Sequence, residues 1–231
     1  MSIDSMVFDL DGTLVDHRSA SSSAIKRWIS ATGASTDAAL ALGVTEWARL
    51  ENLHFSRYLA GEISFLDQRR SRMSEFLAFL GRGSSHQLDD LFDSYVELYE
   101  AAWVAFDDVI PALSVLRDLG YRVCIFSNGE RAQQERKLDR TGLGDHIDGL
   151  ITSSDLGMSK PEPAAFSAAW TALGLRMDRS RYVGDNLDVD VRAAAAAGIR
   201  GVWINRARDR HDAIDVVEIR SLEELGRMPI R

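Results

Sequence analysis

Four short stretches of this sequence carry side chains that could do chemistry on an anion. Asp9 and Asp11 flank a single leucine and are followed by Gly12; Ser127-Asn128-Gly129 joins a hydroxyl to a turn-forming pair. Lys160 stands in Lys160-Pro161-Glu162-Pro163, and Gly184-Asp185 runs on to Asp188 and Asp190. Such groups suit displacement at a phosphate monoester, whose uncatalysed hydrolysis is so slow that enzymes accelerate it by up to about 10²¹-fold. A carboxylate attacking that anion is repelled unless a divalent cation lies between them, and magnesium suits an all-oxygen site with one or two carboxylates. Two neighbouring carboxylates can also divide the work. Like charge raises the proton affinity of one, while a cation keeps the other ionised.

The elements that must position these groups can be read from the apolar pattern. Met6-Val7-Phe8 has the length and residue types of a buried strand and stops at Asp9. After Phe106 the pattern alternates. A helix ends near Gly120, a strand spans Val123 to Phe126, a helix runs from about Arg131 to Arg140, and a strand lies around Leu150 to Thr152. A helix starting near Pro163, a strand Tyr182-Val183, an alanine-rich helix ending before Gly198 and a strand Val202-Trp203-Ile204 follow. Strands alternating with helices of about ten residues predict right-handed crossovers and a parallel sheet, hence an α/β fold. In such sheets reactive groups gather past the carboxyl ends of the strands, where Asp9, Ser127 and Asp185 all fall. Between Asp16 and Phe106 the apolar spacing is helical instead, as in Leu88, Leu91, Phe92, Tyr95, Tyr99 and Ala102. Residues 16–106 are therefore expected to be an inserted helical cap of about four helices, turning at Gly33, Gly61 and the glycine-serine stretch 81–85. Residues 1–15 and 107–231 are expected to form the α/β catalytic core.

In chain order, DLDGTLVD, SNG, KPEP and GDNLDVD resemble the four motifs of the haloacid dehalogenase superfamily, in its mainly phosphatase branch. The resemblance runs from about Met6 to Ile204 and implies a Rossmann-like parallel sheet with helices on both faces plus an all-helical cap. It implies a magnesium-dependent phosphatase that passes through an aspartyl phosphate. By this resemblance Asp9 is nucleophile and metal ligand, Asp11 lends its backbone carbonyl to the metal, and Asp185 is the third ligand. The Asp11 side chain would protonate the leaving alcohol and then deprotonate the attacking water. Ser127, with the N–H groups of Asn128 and Gly129, would bind phosphoryl oxygens. Lys160 would neutralise the phosphate and the surplus carboxylates, and Asp190 would support the metal or Lys160. The same scaffold hosts dehalogenases and phosphosugar mutases. Dehalogenases have a non-acidic residue where Asp11 stands, no cap histidine or lysine signature compels a mutase, and a non-catalytic binding module would typically have lost one of these groups.

Thirty-five acidic against 27 basic side chains give a net charge of -8, which argues against nucleic-acid polymers and anionic membranes as partners. A small phosphorylated metabolite is the expected partner, with the chain a monomer or homodimer. No stretch approaches the roughly 18 apolar residues of a membrane span, and no signal peptide is evident, so a cytoplasmic location is expected. The single cysteine, Cys124, lies in an apolar run and reads as a buried, inert thiol. His17 reads as an exposed loop histidine and Asp188 as an acid in a helix's first turn, where the dipole favours it. Arg69, Arg70 and Arg72 read as a solvated helix face; Trp47, Phe55 and Tyr58 read as core.

Overall fold

A computed structural model describes residues 3–31, 33, 36–83, 85–208 and 216–227. The chain divides into two compact units, residues 17–103 and the remainder.

The larger unit is built on six strands: β1 (Ser5–Phe8), β2 (Arg122–Ser127), β3 (Gly149–Thr152), β4 (Ser180–Gly184), β5 (Arg200–Ile204) and β6 (Val217–Ile219). All pair in parallel, in the order β3-β2-β1-β4-β5-β6, so β1 lies between the two halves of a doubly wound sheet. Alternate residues serve opposite faces. Met6, Phe8, Val123, Ile125, Val183, Val202 and Ile204 pack with α5 (Val109–Asp118), with Leu138 of α6 (Arg131–Thr141), and with the 3₁₀ segment Leu222–Arg227. Val7, Cys124, Phe126 and Tyr182 face the other way, against α8 (Pro163–Leu173) and α9 (Ala193–Ala196). Burial pushes the Cys124 thiol up to about 11, so it stays protonated at neutral pH. A short α7 (Ser153–Leu156) follows β3, and a π-helical segment, Leu187–Arg192, precedes α9. The alanine run is thus only the last turn of a two-part helical segment. Neither β6 nor the 3₁₀ segment was expected, and Glu218 breaks the apolar run that would have marked the strand.

The smaller unit consists of α1 (His17–Ala31), α2 (Asp37–Leu59), α3 (Phe65–Phe79) and α4 (Leu88–Ala101). Gly33, Gly61 and residues 81–83 and 85 lie between them, while Ser84 falls outside the described residues. Thr36 and Ser64 cap α2 and α3 by accepting the N–H groups of Ala39 and Asp67. Trp47 fills the centre, its ring 4.5 Å from that of Tyr95 and 4.9 Å from that of Phe76. Phe55 and Tyr58 are half-buried rather than core.

Two further expectations are overturned. His17 is not in a loop: it opens α1, with Nδ1 2.6 Å from the Tyr99 hydroxyl and Nε2 3.4 Å from Glu51. Arg72 is not solvated. Its guanidinium lies over the rings of Trp47 and Phe92 and pairs with Glu51 at 2.7 Å. Burial raises the Glu51 carboxyl, but Arg72 and His17 outweigh it and hold Glu51 well below the usual carboxylate range. A half-buried carboxylate gains from such partners, and helical periodicity does not show which charged positions supply them.

Where the chain leaves and re-enters the larger unit, its two segments hydrogen-bond to each other. The Asp16 N–H donates to the Val104 carbonyl at 3.0 Å, Val15 and Ala105 form an antiparallel bridge, and the Phe106 N–H donates to the Leu14 carbonyl at 3.1 Å. Among the described residues no helix is long and apolar enough to cross a membrane.

Candidate active site

All four motif stretches meet at the carboxyl ends of β1, β2 and β4. Asp9 follows β1, and its N–H donates to the Val183 carbonyl of β4 at 2.9 Å, which fixes where the nucleophile candidate leaves the sheet. The loop then doubles back, with Gly12 N–H donating to the Val15 carbonyl and both Leu14 and Val15 N–H groups donating to Leu10. Gly12 adopts φ +87, and a Cβ there would lie 2.3 Å from Asp185 Oδ2. Glycine is thus required twice over, for the turn and for the approach of Asp185. Arg206 clamps the far side of this loop by donating from Nη2 to the Thr13 carbonyl at 2.9 Å while pairing with Asp108 at 3.0 Å.

Lys160 is 2% exposed and its ammonium has three partners, each at 2.7 Å: Asp9 Oδ1, Asp190 Oδ1 and the Tyr182 hydroxyl. These match its three donors, as a buried ammonium requires. Tyr182 in turn donates to the Phe126 carbonyl at 2.8 Å. The lysine loop is held by Asn128, whose Oδ1 accepts the Lys160 N–H at 2.9 Å and whose Nδ2 donates to the Lys160 carbonyl at 3.0 Å. Asn128 therefore joins the loop after β2 to the loop before α8. The Gly129 N–H, expected to face a phosphoryl oxygen, donates to Ser153 Oγ at 2.8 Å, because α7 brings that hydroxyl beneath the turn.

Asp190 returns to the site because Asn186 caps the π-helical segment, accepting the N–H groups of Asp188 and Val189. Its second oxygen accepts the Asn186 N–H at 3.1 Å, and a Cβ on Gly184 would strike its side chain at 2.4 Å. Asp188 points outward and pairs with Arg192 at 2.6 Å. Trp203 Nε1 donates to the Asp185 carbonyl at 2.8 Å.

Carboxylate oxygens of Asp9, Asp185 and Asp190 lie within 4.8 Å of one another. Burial raises the Asp9 carboxyl, Lys160 opposes this and Asp190 adds to it, leaving it at about 6. Asp185 reaches the surface, yet burial of its carboxyl and then the charges of Asp9 and Asp190 raise it to about 8. Lys160 is driven well above the ordinary lysine value, because the pull of Asp190 and Asp9 exceeds the effect of burial. Crowded hard oxygens with excess negative charge fit a divalent cation such as magnesium. Both oxygens of Asp190 accept hydrogen bonds from within the protein, Oδ1 from the Lys160 ammonium and Oδ2 from the Asn186 N–H.

A stability measurement tests this reading. A carboxyl whose folded pKa is raised lowers stability progressively as pH climbs from the unfolded value near 4 to the folded value near 8. Asp185→Asn removes that penalty. The metal-free variant is expected to melt above the metal-free wild type at pH 8, with the gap vanishing near pH 4. Because solvent screens the exposed part of Asp185, the gain is about 1 kcal/mol, or about 2–4 °C at this size. Added magnesium should stabilise the wild type and not the variant. A variant that melts below wild type at pH 8 would overturn the reading.

Three residues at the site escaped the motif pattern. Tyr182 reads as strand core, although a buried hydroxyl demands a partner. Gln134 and Lys137 lie on α6, in a sequence that reads as a surface helix. The available signal was their spacing: 134, 137, 138 and 141 make one helical stripe, and Leu138 faces the core.

The family profile of the haloacid dehalogenase-like hydrolases matches residues 3–198. The glyceraldehyde 3-phosphate phosphatase of Methanopyrus kandleri is 36% identical over 103 residues, 45% of this chain and 44% of that protein. The chain matches about half the length of such curated relatives, from 38% to 63%. Among solved structures, the magnesium-bound putative HAD-hydrolase YfnB of Bacillus subtilis superposes with a TM-score of 0.82 at 21% identity, over 98% of each chain. The L-2-haloacid dehalogenase of Xanthobacter autotrophicus does so at 0.77 and 21%, over 97% of each. At such identities these likenesses speak for the fold alone. With the profile covering most of its length, this chain belongs to the haloacid dehalogenase-like hydrolases.

Proposed function

We propose that the protein is a magnesium-dependent cytoplasmic phosphatase that hydrolyses a small phosphate monoester through a phosphorylated Asp9. The observation that carries this reading is the pairing of Asp9, held at 2.7 Å by the buried Lys160, with a second carboxylate, Asp11, two residues on. Carbon–halogen cleavage has no leaving oxygen to protonate and no use for that second acid. The phosphatase named among the relatives supports the same choice.

In the first half-reaction Asp9 attacks phosphorus, and the bond to the leaving oxygen breaks as Asp11 delivers a proton to it. In the second, Asp11 takes a proton from water, which attacks the aspartyl phosphate and releases inorganic phosphate and free Asp9. The Ser127 hydroxyl and the Asn128 N–H bind phosphoryl oxygens, while Lys160 offsets their charge. When bound by Asp9, Asp185 and the Asp11 carbonyl, magnesium supplies the positive charge that lets one anion approach another.

Hydrolysis of an aryl phosphate should therefore depend on added magnesium and stop on chelation, and Asp185→Ala should raise the magnesium requirement or abolish turnover. Full activity after exhaustive chelation would sink the metal half of the mechanism. Halide release from a 2-haloacid, with no phosphate release from any ester of a metabolite panel, would sink the phosphatase reading itself.

A further inference from the structure

The helix after β2 spends its buried positions in an unusual way. Of the three buried residues of α6, only Leu138 is apolar; the others are Gln134 and Lys137, 3% and 2% exposed. Both are directed at Asp11. The Lys137 ammonium lies 2.5 and 2.7 Å from its two carboxylate oxygens. Gln134 Nε2 lies 3.1 Å from Asp11 Oδ2, 3.1 Å from Ser127 Oγ and 3.3 Å from the Asn128 carbonyl. A buried ion pair is a weak source of stability, and apolar residues of similar volume would serve a purely structural helix face as well or better. Lysine at this depth is rare unless paired, and here the partner is the residue read above as acid and base.

We infer that Lys137 is the positioning residue for Asp11, with Gln134 as its second anchor, so that α6 sets the orientation of the acid–base carboxylate. This rests on the phosphatase reading of the site. The ammonium grips both oxygens and so fixes the rotation of the Asp11 side chain. It also offsets the charge of a carboxylate that must work beside an anionic phosphate. Gln134 links that carboxylate to the hydroxyl expected to bind the phosphoryl group, so both are referred to one helix. No net proton change falls on Lys137. The proton that Asp11 gives to the leaving oxygen is replaced by the one it takes from water, and the ammonium is unchanged over the cycle.

The test is a double-mutant cycle in the full chain, using an alkyl and an aryl phosphate at saturating magnesium. Lys137→Met is expected to lower kcat on the alkyl ester about 100-fold. The phosphorylation step on the aryl ester, whose leaving group departs without a proton, should fall less than about 10-fold. Magnesium half-saturation should stay within about twofold. In an Asp11→Asn background the same substitution should change kcat by less than about twofold, since the residue it positions is already disabled. Gln134→Leu, which removes no charge, should show a smaller loss; its contact with Ser127 Oγ contributes equally on both esters, while the excess loss on the alkyl ester vanishes with Asp11→Asn, and that excess decides the matter if Lys137→Met does not fold. Wild-type rates in both single variants, or equal losses with and without Asp11, would overturn the inference. If Asp11→Asn itself retained full activity on the alkyl ester, the acid–base assignment would fall instead, which separates the two failures.

Discussion

Asp9→Asn is expected to reduce phosphate-ester turnover by about 10⁴-fold or more while leaving circular dichroism unchanged. Loss of an attacking group in enzymes with covalent intermediates has effects of this size. The amide keeps the shape of the carboxyl, and its oxygen can still accept from the Lys160 ammonium, now 2.7 Å from Asp9 Oδ1. It has no negative charge with which to attack phosphorus or hold a cation. The wild type, stopped by rapid quench on an aryl phosphate, should yield a phosphoryl adduct on the peptide containing Asp9, and the variant should yield none. Retention of more than about a tenth of the rate, a loss below about 1.4 kcal/mol in the barrier, would remove Asp9 from the role of nucleophile.

Lys160→Met should damage both stability and rate. The substitution removes the cation from between Asp9 and Asp190 and takes a donor from the Tyr182 hydroxyl, which keeps its bond to the Phe126 carbonyl. Breaking a buried pair by deleting one partner costs about 3–5 kcal/mol, because the other charge stays buried and unpaired. At about 2–4 °C per kcal/mol, the metal-free variant should melt about 10 °C lower. Magnesium should recover part of that loss by placing positive charge among the same carboxylates. Turnover should fall about 10²- to 10³-fold, the size of effect seen when one donor to transition-state charge is lost. A melting point within about 2 °C of wild type would mean that the three contacts do not stabilise the fold.

The parts of this site that could be read in advance are those dictated by local chain geometry. A short apolar strand stopped by Asp9, or running into Gly184-Asp185, announces a sheet end whatever surrounds it. Pro163 at the start of α8 is equally local. What could not be read depends on partners far away in sequence. Lys137 meets Asp11 across 126 positions, and Tyr182 meets Lys160 across 22. In α6 both polar residues are surrounded by Arg, Glu and Gln, so nothing in the helix's own composition separates an inward lysine from an outward one. Arg72 departs from its expected place for the same reason, since a charge pattern gives the period of a face and not what lies opposite it; His17 departs because the start of α1 is set by partners on other helices, Tyr99 and Glu51.

The hydrogen bonds between residues 14–16 and 104–106 have a consequence for how such a chain can change. They tie the departing and returning segments together, so the separation that residues 17–103 must span is set by the core itself. For a loop closed at its base, doubling the length adds only about 0.6 kcal/mol of closure entropy. Whatever is spliced in above that neck can therefore be lengthened, shortened or exchanged for another domain at small thermodynamic expense, provided its own ends lie close together. The neck is a natural junction for recombination, and for an engineer it marks where a foreign domain could be grafted without redesigning the sheet beneath.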